Sequence, residues 1–283
     1  MTAPSLPLHR FEHRAMNTEF ELLLGCEDRE LAESASRAAF EELDELEGEL
    51  SRFRPGSDIW RLNQAAAGEP ISLGLAAWDC LGLARDVFEA TAGAFDVSVG
   101  PLFALWREES GRPKKSEVAA VLARCGLDKL VFDESRLTVT PSTDGMRFDL
   151  GGVGKGYALD QVAISLRQEW GLSSALLNAG SSTVLAFGPY ENQAGWPIDA
   201  GPHEIRLDGN ALGCSGTEVK GAHILDPRSG QPIRADARNI WVLAPNASLA
   251  DALSTACMLL SPPELDALEK RHADLQILRP GTE

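Results

Sequence analysis

Apolar positions along this chain switch between a period near two and a period near 3.6. Residues 18–25 alternate into an apolar run and predict a strand. Residues 30–50 set Ala35, Ala39, Leu43, Leu46 and Leu50 on one face and acids on the other, predicting a long amphipathic helix. The turn signal Arg54-Pro55-Gly56-Ser57 stops it. A second helix is predicted over 76–90, and a short apolar segment over 101–106 is followed by a charged surface loop to Lys115. Ser116 stands where it would cap a helix to about Arg124. Residues 129–140 read as a hairpin bent at 133–136, and further strands are predicted at 174–177, within 196–212, at 239–243 and at 275–278. Ser248 with Asp251 three residues on is one helix start; Ser261-Pro262-Pro263-Glu264, with proline at N1, is another. Residues 1–14 read as a loose N-terminal arm and 15–283 as a single domain. Strands and helices interleave without strict βαβ alternation, so the expected class is α+β.

One stretch organises the rest. Arg147-Phe148-Asp149-Leu150-Gly151-Gly152-Val153-Gly154-Lys155-Gly156-Tyr157-Ala158-Leu159-Asp160 reads as a strand end, a glycine-rich turn and a helix start. Glycines at 151, 152, 154 and 156 cost backbone entropy, which suggests a ligand or metal close to the main chain. From Tyr157 onward, Leu159, Val162, Ala163, Leu166 and Trp170 keep helical spacing. The helix N-terminus would then aim free N–H groups and its positive dipole end at the loop, with Lys155 beside it, which suits a phosphate-bearing ligand. Neither a P-loop nor the Rossmann spacing fits, since Gly156 follows Lys155 and G-x-G-x-x-G is absent. A tight turn with an exposed lysine is the plainer alternative.

Composition narrows the partners. A net charge of −16, from 42 acidic and 26 basic residues, disfavours nucleic acid and anionic membrane surfaces. Five widely spaced cysteines without a C-x-x-C pair argue against a disulfide framework or a zinc site. The first residues lack the apolar region of a signal peptide and no run is long enough to span a membrane, so a soluble cytoplasmic protein is expected.

Several groups could carry chemistry. Asp251 and Thr255 are four apart on a predicted helix and present a hard-oxygen pair suited to Mg²⁺; a dipole-serving Asp with a core threonine is the alternative. His223, opening His223-Ile224-Leu225-Asp226-Pro227-Arg228-Ser229-Gly230, is a candidate general base or a packing histidine. Thr91-Ala92-Gly93-Ala94-Phe95-Asp96 could offer backbone and a carboxylate to a ligand, and Phe53 and Met16 could flank an aromatic ring or pack in the core.

Taken in order, these segments resemble the ApbE family, the FAD:protein FMN transferases, over residues 16–260. Beside those above, the likeness includes Ala15-Met16-Asn17-Thr18, Leu50-Ser51-Arg52-Phe53, Ser57, Asn63, Gly100-Pro101-Leu102, Trp106 and Ala250-Asp251-Ala252-Leu253-Ser254-Thr255. The resemblance implies an α+β enzyme of mixed or antiparallel sheets and packed helices in two closely associated lobes. It implies that Mg²⁺ and FAD bind, that FMN is attached by a phosphoester to a threonine of an acceptor flavoprotein, and that AMP is released. FAD pyrophosphatase activity, or FAD binding without catalysis, are the alternatives. By motif, Met16, Phe53, Ala94, Phe95, Asp96, Asp149, Lys155 and Leu225 would contact FAD. The Gly152 carbonyl, Asp251 and Thr255 would hold the metal, which would also explain the missing side chain at 152. His223 would serve as base near the acceptor hydroxyl, with Lys155 and Asp251 the other catalytic groups. Departures from the family pattern are Gly180-Ser181-Ser182 for Gly-Gly-Asp, Cys214 in a Thr-Ser-Gly position, Asn17 for a glycine, and Ser254 where some members carry an acid.

Overall fold

The computed structural model describes residues 6–108, 113–191, 193–201, 203–216, 224–233 and 239–279. It begins with a hairpin. Strands β1 (Leu8–Ala15) and β2 (Thr18–Gly25) pair antiparallel through Met16 and Asn17, which both adopt positive φ, 49° and 58°. Two left-handed central residues make the turn that matches strand twist. Residues 8–14, expected in a loose arm, are therefore the edge strand. Its side chains are half or wholly exposed up to Ala15, so no apolar alternation marks it in sequence.

Helix α1 (Arg29–Leu50) starts one residue before the expected helix, where the Asp28 carboxylate accepts from the N–H groups of Glu30 and Leu31. After α2 (Asp58–Leu62) and β3 (Ile71–Ser72), α3 (Leu75–Ala90) occupies the second predicted helix. The apolar segment 101–106 proves to be part of a helix, α4 (Gly100–Glu108). Ser116 does not cap α5 (Lys115–Leu122); Lys114 is the N-cap and Glu117 Oε2 accepts from its N–H at 2.7 Å. The predicted hairpin forms as β4 (Leu130–Asp133) and β5 (Thr138–Pro141), which join β3 in a small sheet ordered β3-β5-β4.

Helix α6 (Gly154–Gln168) leads into β6 (Ser174–Ala179), β7 (Thr183–Phe187), a separate hairpin of β8 (Trp196–Ala200) and β9 (His203–Leu207), and β10 (Asn210–Gly216). The short pair β11 (Leu225–Asp226) and β12 (Gln231–Pro232) precedes β13 (Asn239–Ala244), α7 (Ala247–Cys257), α8 (Pro262–Arg271) and β14 (Gln276–Leu278). The capping box expected at Ser261 is present, with Glu264 accepting from Ser261 N–H at 2.7 Å.

Seven strands form the main sheet in the order β1-β2-β6-β7-β10-β13-β14, antiparallel throughout. The class is α+β. On one face Phe20, Leu22 and Leu24 bury against Leu43 of α1, Leu159 and Val162 of α6 and Leu253 of α7, and the same cluster runs on to Leu130 and Val139 of the small sheet. The β8–β9 hairpin covers the other face with Trp196 and Leu207, over Leu176, Ala186 and Leu212. None of the five cysteines forms a disulfide, and burial pushes the Cys257 thiol up to about 12. Among the described residues no helix is long and apolar enough to cross a membrane.

Candidate active site

The glycine-rich stretch is held from two sides. The Asn63 side chain accepts from Phe148 N–H at 2.6 Å and donates to Phe148 O at 3.0 Å, clamping the backbone. Asp149 N–H donates to Val97 O at 2.7 Å, beside a parallel bridge between Val99 and Arg147. Residues 147–149 make only that isolated bridge, so the expected strand end is a braced loop instead. Asn63 matches the resemblance, but its clamping role is invisible without the fold, because its partner lies 85 positions away.

Helix α6 begins at Gly154, and three of its first four amides, those of Gly154, Gly156 and Tyr157, are already occupied. Gly154 N–H donates to Leu150 O at 2.8 Å, and Gly156 N–H donates to Asp251 Oδ2 at 3.2 Å. At Gly156 the amide expected to face a phosphate meets a carboxylate supplied by α7. Lys155 folds over the loop, with Nζ 2.6 Å from Gly151 O and 3.4 Å from Asp251 Oδ2. Asp251 is only 3% exposed, so the ammonium and the amide together compensate a carboxylate withdrawn from water.

The two helices exchange caps. As Asp251 caps α6, Asp160 of α6 caps α7, with Oδ1 accepting from Ala247 N–H at 2.7 Å and Oδ2 from Ser248 N–H at 2.9 Å. Burial raises the Asp160 carboxyl above its ordinary value, and these hydrogen bonds oppose that rise. Asn246 Oδ1 accepts from Leu249 N–H at 2.9 Å as the N-cap, so Asp251 is not the capping-box acid that its spacing from Ser248 suggests. A Cβ on Gly156 would collide with the Ala247 carbonyl, and one on Gly213 of β10 with the Ala250 carbonyl. Those two glycines let α7 press against both α6 and the sheet.

Asp251 and Thr255 do share a face. Thr255 Oγ1 lies 3.4 Å from Asp251 O and 3.4 Å from Ser215 Oγ, and Ser215 Oγ lies 2.9 Å from Ser254 Oγ. A Cβ on Gly152 would sit 3.1 Å from the Phe95 ring. The aromatic packed over Gly152 leaves little room for a side chain there.

Three adjoining pockets, of about 290, 180 and 320 Å³, meet at Gly151. The first is lined by the Met16–Asn17 turn, Phe53, Asp149, Lys155 and Ser182. Phe53 is 73% exposed at its mouth, with the Arg52 guanidinium 4.3 Å from the ring centroid. Arg52 Nε is 3.2 Å from Asp149 Oδ2 but out of hydrogen-bond alignment, so this contact is an ion pair by proximity only. Ala94, Phe95, Asp96, Gly152, Leu225 and Thr255 line the second pocket. Ser98 donates to Asp96 Oδ1 from both N–H and Oγ, at 2.8 and 2.7 Å, while burial raises the Asp96 carboxyl. The third pocket has Gly152, Lys155, Asp251, Thr255, Cys214 and Ser215. Every expected site residue within the described residues lines at least one of the three pockets; His223 lies outside the described residues.

Among the described residues no group of three or more His, Cys, Asp or Glu side chains could hold a metal. The third pocket nonetheless gathers the Asp251 carboxylate, the hydroxyls of Ser181, Ser182, Ser215 and Thr255, and main chain, a set rich in hard oxygens. That set fits a magnesium ion whose remaining positions are filled by water and phosphate, and does not fit zinc.

The sequence profile of the ApbE family matches residues 16–278. Among curated relatives, an FAD:protein FMN transferase of Klebsiella pneumoniae is 29% identical, over 92% of this chain and 82% of its own length. One from Escherichia coli K12 is 27% identical, over 81% and 72%. Among solved structures, the apo flavinyl transferase ApbE of Pseudomonas stutzeri superposes with a TM-score of 0.85 at 25% identity, covering 99% of this chain and 98% of that one. The ApbE protein of Thermotoga maritima gives 0.81 at 26% identity, covering 98% and 96%.

Proposed function

The chain belongs to the ApbE family, and on that premise we propose that it transfers FMN from FAD to a threonine of an acceptor flavoprotein, in a reaction that requires Mg²⁺ and releases AMP. The observation that carries the reading is the convergence of Lys155, Asp251, Thr255 and the Gly152 main chain in one pocket that adjoins the cleft under Phe53 and Met16. Met16, Phe53, Ala94, Phe95, Asp96, Asp149, Lys155 and Leu225 line pockets around Gly151 that suit an extended ligand with a ring at one end and phosphates in the middle. Phe53 offers an exposed ring for stacking, with the Arg52 guanidinium against that ring.

In the transfer, the acceptor hydroxyl oxygen forms the new bond to the FMN phosphorus. The bond from that phosphorus to the bridging pyrophosphate oxygen breaks, and AMP leaves with that oxygen. The hydroxyl proton passes to a base, the role assigned to His223. Asp251, Thr255 and the Gly152 carbonyl would hold Mg²⁺, which when bound neutralises charge developing on the phosphates. Lys155 adds a fixed positive charge at the same point. The rest is positioning, since phosphoryl transfer needs little covalent help from side chains.

The test incubates the purified protein with FAD, in Mg²⁺ or EDTA, with and without an acceptor flavoprotein, following AMP and acceptor mass together. Metal-dependent AMP with an FMN-sized mass gain supports the transferase. AMP and free FMN without mass gain indicate pyrophosphatase activity; bound FAD without turnover indicates a carrier. Asp251→Ala should abolish AMP release, and full activity would refute the metal assignment. His223→Ala should spare FAD binding and slow transfer; lost FAD binding in a folded variant would refute the base role.

A further inference from the structure

Ser254 is fully buried on α7, one residue before Thr255. Its hydroxyl hydrogen is committed, because Oγ donates at 2.9 Å to the Asp251 carbonyl oxygen, which can only accept. The 2.9 Å bond between Ser254 Oγ and Ser215 Oγ must then run from Ser215, whose hydrogen is spent in turn. Thr255 Oγ1 meets two acceptors on the protein side, Ser215 Oγ and the Asp251 carbonyl, each at 3.4 Å. Its hydrogen is drawn backwards between them, so its lone pairs face the pocket.

We propose that Ser254 and Ser215 are positioning residues that set the direction of this hydroxyl chain, so that Thr255 meets the pocket as an acceptor only. An acceptor-only hydroxyl suits a hard divalent cation and cannot donate to a phosphate oxygen. The inference rests on the reading of Asp251 and Thr255 as cation ligands. It adds that the ligand quality of Thr255 is governed by a serine that does not line the pocket.

Removing the Ser254 oxygen lets Ser215 turn its hydrogen toward Thr255 Oγ1, which keeps its own hydrogen on the Asp251 carbonyl but spends on Ser215 a lone pair that otherwise faces the pocket. Removing the Ser215 oxygen leaves the Thr255 hydrogen with the Asp251 carbonyl, a smaller disturbance. Ser254→Ala should therefore weaken Mg²⁺ more than Ser215→Ala does, although Ser215 is the residue that lines the pocket.

Calorimetric titration of the full chain with Mg²⁺, without flavin, reads this directly. Ser254→Ala should bind Mg²⁺ roughly three- to tenfold more weakly, the scale of one net hydrogen bond. Thr255→Val should lose more. Inorganic pyrophosphate, titrated in EDTA, should bind Ser254→Ala as well as the unmodified protein, because the Thr255 hydrogen points to the protein side in both. A Ser254→Ala protein that binds Mg²⁺ normally would overturn the proposal. So would parallel loss of Mg²⁺ and pyrophosphate, the mark of general loosening, or a larger loss in Ser215→Ala, the mark of a direct ligand. Normal Mg²⁺ binding by Thr255→Val would instead remove the cation assignment, and the proposal with it. If Ser254→Ala does not fold, Ser254→Cys keeps nearly the same volume with a weak donor, and the same comparison applies.

Discussion

Asp96 shows how much of this site is decided by the surroundings of single groups. Its carboxyl is buried, which raises its pKa above the ordinary 3.8, while two hydrogen bonds from Ser98 and the charge of Lys129 pull the other way. A raised folded value means that the folded protein holds this proton at pH values where the unfolded chain has lost it. The corresponding stability is full below 3.8 and is lost as pH rises through the folded value. Asp160 acts in the same direction for the same first cause. Asp96→Asn keeps an acceptor oxygen for Ser98 without an ionisable charge. Its melting temperature should fall less than that of the unmodified protein as pH rises from the carboxylate range to neutrality. Thermal unfolding in a buffer series measures this, and parallel profiles would show that Asp96 titrates in its ordinary range.

At the scale of elements, the crossed caps between α6 and α7 are the main device. Each helix satisfies orphan amides of the other with a carboxylate from its second turn, so the pair is oriented as one body. Asp160→Asn sets an amide donor against one of two N–H donors and should cost about 1–3 kcal/mol in denaturant unfolding. Because Asp251 and Thr255 ride on α7, it should also lower the Mg²⁺-dependent AMP release proposed above. Gly156→Ala, whose Cβ meets the Ala247 carbonyl, should cost about 1–3 kcal/mol by forcing the helices apart. Gly82→Ala is the counterpart: this glycine lies within α3 with nothing near its missing Cβ, so the change should stabilise by about 0.5–1 kcal/mol. Equal effects at 82 and 156 would show that helix propensity, not the α6–α7 approach, controls both.

Over the whole molecule, one apolar cluster joins the seven-stranded sheet to α1, α3, α6 and α7 and to the three-stranded sheet. We propose that the two sheets unfold as one domain. Fluorescence of Trp78, which stacks edge-on against Phe132 of β4, and far-ultraviolet circular dichroism should give coincident denaturation curves. Leu43→Ala, at the centre of the cluster, should shift both curves together and cost about 2–5 kcal/mol. Separate transitions would divide the sheets into independent units.

What the sequence determined by itself was local. The periodic faces of α1 and α3, the β4–β5 hairpin, β13 and the Ser261 capping box are set by residues a few positions apart, and all were legible. The motifs whose order resembles one family named residues that, within the described residues, all line at least one of the three pockets. β1 was not legible, since an edge strand with exposed side chains has no alternation to reveal it. Nor was the partner of Asp251, because a helix start and a carboxylate 95 positions apart share no local pattern. Only the tertiary structure decided that Asp251 faces Gly156 and Lys155 instead of its own helix start, that Phe95 lies over Gly152, and that Ser254 lies behind Thr255. Those contacts follow from how closely two helices and a sheet can approach, and that distance is set by side chains missing from glycines on different elements.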